Sequence, residues 1–224
     1  MDHPFSWSLT WTLLLLASGI LLPSFAYCQE ISEHSYHVTL YDEQTEAEYD
    51  TTFSFDYLAN DPDFYLFTRF NYPPFQVKFT NEEKLILFQG KHEVEILAAN
   101  FDSAAHKLRF STENGYMPYL ESIDGKNPWG VDGGIPRIEI SGIILRHGAD
   151  STLVSPHIFA DLYEPGTICH EIEGQKSCYI NAYLTERDEL ILSMLNGDGA
   201  GGYIAILIFD GQFNLRLKSV GHGF

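Results

Sequence analysis

Cations are scarce in this chain. Its 224 residues carry 13 Lys and Arg against 31 Asp and Glu, a formal charge of −18, and no stretch gathers the basic residues into a run. Nucleic acid and anionic lipid surfaces both select for such runs, so the balance argues against either as a partner. Divalent cations, cationic proteins and neutral ligands such as sugars remain. Cysteine is rarer still: only Cys169 and Cys178 lie in the body of the chain, flanking the turn-forming Glu173-Gly174-Gln175. That spacing predicts one disulfide across a hairpin neck, and with it an oxidising compartment. Neighbours on a strand point to opposite faces, which disfavours Cys169 and His170 as a catalytic pair. A G-x-S-x-G elbow is missing, and neither His92-Glu93 nor His170-Glu171 continues to a second His at metalloprotease spacing.

A membrane-spanning run is missing too. The apolar stretch from Leu9 to Leu22 is 14 residues long and is interrupted by Thr10, Thr12, Ser18 and Gly19, whereas a span takes about 20 predominantly apolar residues. A break at Pro23 and the step Ser24-Phe25-Ala26 follow, which is the layout of a secretory signal peptide over residues 1–28, although no Lys or Arg precedes it. Tyr27 stands before Cys28 where a lipid-modified cysteine needs a small residue, so no lipid anchor is expected. The expected product is secreted or periplasmic, off the membrane once cleaved, and still strongly acidic.

What the chain does hold is alternation. Tyr49, Thr51, Phe53, Phe55 and Tyr57 interleave with Asp50, Thr52, Ser54 and Asp56, a period of two that marks a half-buried strand. Shorter runs of the same kind cover Tyr36 to Tyr41, Phe64 to Phe70, Phe75 to Phe79 and Lys107 to Phe110, and Gly90 divides 82–99 into two strands. Residues 29–120 thus form a β-rich N-terminal half and residues 137–224 a β-rich C-terminal half, in one domain or two subdomains. Between them, 121–136 is a Gly- and Pro-rich loop or linker. The second half predicts one short helix near 156–163, with Ser155 as its cap and Pro156 at its first position. Asp210-Gly211 predicts a two-residue turn, after which Phe213, Leu215 and Leu217 face inward. Tyr203 to Phe209 is apolar at nearly every position, as a strand covered on both faces requires. The fold expected is mainly β, with antiparallel, sandwich-like sheets.

Three places hold candidate sites. In Asn196-Gly197-Asp198-Gly199-Ala200-Gly201-Gly202 the glycines match the spacing of a dinucleotide loop, but a strand follows where that loop needs a helix. The stretch reads first as a hairpin connection whose glycines permit positive φ. Its second reading is calcium, with Asn196 and Asp198 as metal ligands; a full site takes about 6 to 8 oxygens, and Asp124, Asp132 and Asp188 are the other acids folding would have to supply. Trp129, the only Trp beyond the signal region, sits in the 121–136 loop with Asp132. It is either a ligand anchor or a plug that seats the loop on the core. A glycosidase pair would be drawn first from Asp124, Asp132 and Asp198.

The stretch from Asn196 to Arg216, with Asp132-Gly133-Gly134-Ile135-Pro136 and Asp161-Leu162-Tyr163-Glu164-Pro165, resembles parts of uncharacterised exported bacterial proteins that carry an N-G-D-G-A-G-G-Y hairpin. The resemblance implies export and a β-rich fold but no activity. The functional expectation is an exported acidic β-domain that binds a neutral or cationic ligand, a sugar or a protein, as a binding or envelope-associated interaction module. The alternative is a secreted hydrolase using loop carboxylates, with calcium as its cofactor.

Overall fold

The computed structural model describes residues 35–42, 47–54, 69–112, 118–172, 174–197 and 199–222. The expected signal peptide and Asp198 lie outside them. Strands β1 (Ser35–Asp42), β2 (Ala47–Ser54) and β3 (Arg69–Phe70) form an antiparallel sheet of order β2-β1-β3. Next come β4 (Gln76–Thr80), β5 (Lys84–Gln89) and β6 (His92–Asn100), then the two-stranded ribbon of β7 (Leu108–Ser111) and β8 (Tyr119–Ile123). From the second half, β9 (Ile138–His147) adds to β6 and β10 (Asp150–Leu153) to β9, completing a five-stranded sheet of order β10-β9-β6-β5-β4. The hairpin of β11 (Cys169–Ile172) and β12 (Gln175–Cys178) precedes a four-stranded meander of β13 (Ile180–Leu184), β14 (Leu190–Asn196), β15 (Tyr203–Phe209) and β16 (Leu215–His222). The fold is mainly β, and these sheets are antiparallel.

One core joins the two larger sheets. Leu85, Leu87, Val94, Ile96, Ile143 and Leu145 of the five-stranded sheet pack in a single cluster with Leu192, Met194, Tyr203, Ala205, Leu207 and Phe209 of the meander. The alternate residues of β15, Ile206 and Ile208, join Ile191, Leu217, Phe70 and Tyr72 in a second cluster on the meander's other face. Both faces of β15 are therefore covered, which is why its sequence shows no polar alternation. The described residues, from Ser35 on, belong to one compact unit.

Three local expectations need correction. The helix near 156–163 is a single 3-10 turn, Pro156–Ile158. Pro156 starts it, but Ser155 caps no backbone N–H, its hydroxyl lying 2.7 Å from His157 Nδ1 instead. Leu162 and Tyr163 are drawn into bridges with Trp129 and Glu139, which take up backbone groups that a continuing helix would need. The 121–136 loop starts later, because β8 runs to Ile123 and a turn through Asp124 and Gly125, with φ of 52° and 79°, closes onto Lys126. It is stitched down rather than a free linker: Trp129 N–H donates to the Asp161 carbonyl at 2.8 Å, and Tyr163 N–H to the Trp129 carbonyl at 2.9 Å. Finally, the β15–β16 connection is a longer loop in which Phe213, not Gly211, takes positive φ, at 63°. Arg216 is bulged out between the pairs Ile208↔Leu217 and Phe209↔Leu215. Leu215 thus packs on the first core cluster and Leu217 in the second, on opposite faces.

Candidate functional site

The glycine-rich stretch after β14 is a packing junction. A Cβ on Gly201 would lie 2.6 Å from the Val131 carbonyl carbon and 2.8 Å from the Asp132 nitrogen, and one on Gly197 would lie 2.9 Å from Gly130 Cα. One on Gly130 would overlap the Tyr163 carbonyl. Backbone lies against backbone here, so these positions exclude side chains whatever their φ. Gly130 to Asp132, Tyr163, and the stretch holding Gly197 and Gly201 meet at this junction.

Asn196 holds it together. It is buried, at 3% exposure; its Oδ1 accepts the Gly166 N–H at 2.9 Å, and its Nδ2 donates to the Tyr203 hydroxyl at 3.1 Å. That hydroxyl in turn donates to the Tyr163 carbonyl at 3.1 Å, and burial pushes it well above the usual phenol range. Asn196 is accordingly an internal anchor rather than an open calcium ligand. Among the described residues no group of three or more His, Cys, Asp or Glu is arranged to hold a metal ion.

Asp124 and Asp188 each lie against a histidine. Asp124 Oδ2 lies 2.7 Å from His106 Nδ1, and its Oδ1 accepts the Lys107 N–H at 2.8 Å. His106 Nε2 lies 3.2 Å from Glu139 Oε2, while the ring stacks on Phe101 at 4.7 Å. The hydrogen bond that the ring donates to Asp124 is the main reason the His106 pKa is raised, and the same bond lowers that of Asp124. With both ring nitrogens facing carboxylates, His106 is a clamp between β9 and the β8 turn. Asp188 lies 3.5 Å from His92.

Asp132 lines a cavity of about 220 Å³ bounded by Gly130, Ile135, Arg137 and Glu164. Arg137 is shared with a larger cleft of about 430 Å³ whose wall includes Ile168, His170 and Tyr179. Glu164 orients Arg137, accepting from its backbone N–H at 2.5 Å and from its guanidinium at 3.2 Å. The strap that follows is pinned from both sides. Thr167 Oγ1 donates to the Glu82 carbonyl at 3.1 Å, and Thr80 Oγ1 donates to the Thr167 carbonyl at 2.6 Å. Beyond it, Cys169 and Cys178 face each other in register across β11 and β12, with Sγ atoms 2.06 Å apart and Cα atoms 4.4 Å apart. The predicted disulfide is present, and the next residue is Tyr179.

Tyr179 is half exposed, with the His170 ring edge-on at 6.1 Å. Its ring is accommodated because Gly166 has no side chain; a Cβ there would lie 2.8 Å from Tyr179 Cβ. Trp129, by contrast, lines neither cavity. It is partly buried against the core, 5.1 Å from the His222 ring and 6.4 Å from that of Tyr203, the placement of a plug. Asp132 thus lines the smaller cavity, while Arg137, Ile168 and Tyr179, which the sequence pattern did not single out, line the larger one. The available signal was an aromatic directly after the second cysteine, where a hairpin neck fixes its position. No protein-family model matches the chain, and no curated protein or solved structure matches it either.

Proposed function

We propose that the chain is an exported binding module, secreted or periplasmic, that takes a neutral or cationic ligand, a sugar or a protein segment, in the cleft beside Tyr179. The observation that carries this reading is a half-exposed aromatic ring set over a cleft whose walls are pinned by Thr80, Thr167, Glu164 and a disulfide. A wall held in place before binding loses little entropy when a ligand arrives, and a cleft of about 430 Å³ suits one or two sugar rings or a short peptide segment. Tyr179 presents a flat apolar face to such a ligand, while Arg137 and His170 supply polar contacts at its edge. Export is supported by the signal-like segment at 1–28 and by the cystine. Asp124 is committed to His106, which weakens the hydrolase alternative.

The test is a thermal-shift screen of the secreted protein against neutral oligosaccharides and peptides, followed by titration of the hits. Tyr179→Ala should weaken binding of a hit by at least about fivefold, the equivalent of about 1 kcal/mol for a contact of consequence. Recovery of a chemically altered hit, with turnover abolished in Asp132→Asn, would defeat the binding-module reading in favour of the hydrolase. Equal affinity in parent and Tyr179→Ala would place the site elsewhere.

A further inference from the structure

We infer that a second pocket, at the hairpin-tip end of the five-stranded sheet, binds a small organic anion through a carboxylate or phosphate group. It has a volume of about 370 Å³ and is lined by Lys78, Phe88, Lys91, Glu93 and Arg146, with Gly90 and Gly148 at the turns. Leu87, Val94 and Leu145 face the core, so by alternation Phe88, Glu93 and Arg146 belong to the sheet's outer face. On that face three cations share two carboxylates. Glu93 pairs with Lys78 at 2.5 Å and with Arg146 at 2.9 Å, and Glu95 pairs with Arg146 at 2.6 Å and with Lys84 at 2.9 Å. Lys91 is a fourth cation, and among the described residues it has no carboxylate partner. His92 also lines the pocket, with the Asp188 carboxylate 3.5 Å from its Nε2, so the charged groups here carry a surplus of one positive charge in a chain whose formal charge is −18.

The arrangement is built rather than scattered. Lys78 falls at a β-bulge, skipped between the pairs Val77↔Leu87 and Phe79↔Ile86, and bulges re-aim the side chain they release. Its ammonium reaches two strands across to Glu93 on β6. The turns at Gly90 and Gly148, with φ of 60° and 61°, lie side by side, and Gly148 N–H donates to the Lys91 carbonyl at 2.9 Å. Lys91 is thereby rooted at the pocket mouth with its charge free. Arg146 is oriented by two carboxylates, which leaves a fixed cation for a planar anion to approach. Phe88 gives an apolar wall, which favours an anion with an organic body over a bare inorganic ion. The chain's overall negative field opposes any anion held by net charge alone, so binding at this pocket has to come from directed contacts.

Isothermal titration calorimetry with phenyl phosphate, benzoate and inorganic phosphate, at low ionic strength, tests the inference. Phenyl phosphate or benzoate should bind the parent saturably with one site, and more tightly than inorganic phosphate. Lys91→Glu should weaken that binding at least about tenfold, the scale of one lost charge-assisted hydrogen bond. Lys176→Glu makes the same change of charge on the β11–β12 hairpin, and should leave affinity within about twofold. Lys91 is exposed at a turn, so circular dichroism of its variant should match the parent. Equal weakening by the two variants would reduce the effect to net charge and overturn the site. So would absence of saturable heat, or binding seen only with phosphatidylglycerol vesicles.

Discussion

His106 shows how much one residue's surroundings decide. Its type and position suggest nothing, yet Asp124 and Glu139 lie at its two nitrogens and favour the doubly protonated ring. Because its folded pKa is raised, the stabilisation is complete below the unfolded value of about 6.5 and is lost as pH rises through the raised folded value. Asp124 is the mirror case: its lowered pKa means stabilisation present above its ordinary value of 3.8 and lost as pH falls through the lowered one. The melting-temperature difference between parent and His106→Gln should therefore be largest between about pH 4 and pH 6.5. Thermal melts across pH 3 to 9 measure it, and a difference that is flat from pH 5 to pH 9 would refute the clamp. Asn196 makes the complementary point. Its oxygen is of the right kind for calcium, but what it meets is the Gly166 N–H, which only the tertiary fold brings near. Asn196→Ala leaves that buried donor without its partner and should cost about 1 to 3 kcal/mol in denaturant titrations. Added calcium should not change that difference.

Elements were legible where a short-range pattern specifies them. The apolar run of β15, the Gly90 split and the cysteine-flanked turn each contain their own instruction, whether an uninterrupted apolar stretch, a positive φ or a nine-residue spacing. The segment at 156–163 did not, because eight residues cannot separate a helix from an extended strap whose apolar residues meet different neighbours. Its Leu162 and Tyr163 belong to different clusters, which one helical face would not allow. The β15–β16 loop misled for a related reason: Asp210 Oδ1 accepts from the N–H groups of both Gln212 and Asn214, organising a wider turn than Asp-Gly alone implies. The disulfide element yields its own prediction. Closing so short a loop should stabilise the chain by about 2.5 to 3 kcal/mol on the loop-entropy account. Paired Cys169→Ser and Cys178→Ser replacement should lower stability by that amount in guanidinium titrations, and should also weaken ligand binding at Tyr179, whose position the neck fixes. Unchanged binding would detach the cleft from its staple.

At the scale of the whole molecule, the composition break at 121–136 suggested a boundary that the topology crosses. Strand β9, from the far side of that loop, pairs with β6 from His92↔His147 to Asn100↔Ile138, so the five-stranded sheet is assembled from both halves. The core is divided in the same way, with Leu85, Leu87, Val94 and Ile96 from one half and Leu192, Met194, Leu207 and Phe209 from the other in one cluster. Neither arrangement is visible in a linear pattern, since long-range pairing leaves no local mark. Burial of a Leu or Ile side chain is worth about 1.5 to 3 kcal/mol, so uncovering the four N-terminal residues alone would forfeit roughly 6 to 12 kcal/mol. That is as large as the whole stability of an ordinary domain, about 5 to 15 kcal/mol. Cutting the chain within the loop should consequently leave neither 29–120 nor 137–224 able to fold, while intact 29–224 unfolds in a single cooperative transition. Near-ultraviolet circular dichroism and calorimetry of the two fragments and the intact chain measure this directly. A fragment that keeps its own near-ultraviolet signal and melts cooperatively would mean that the shared core contributes far less than its burial implies, and that the halves are separate folding units.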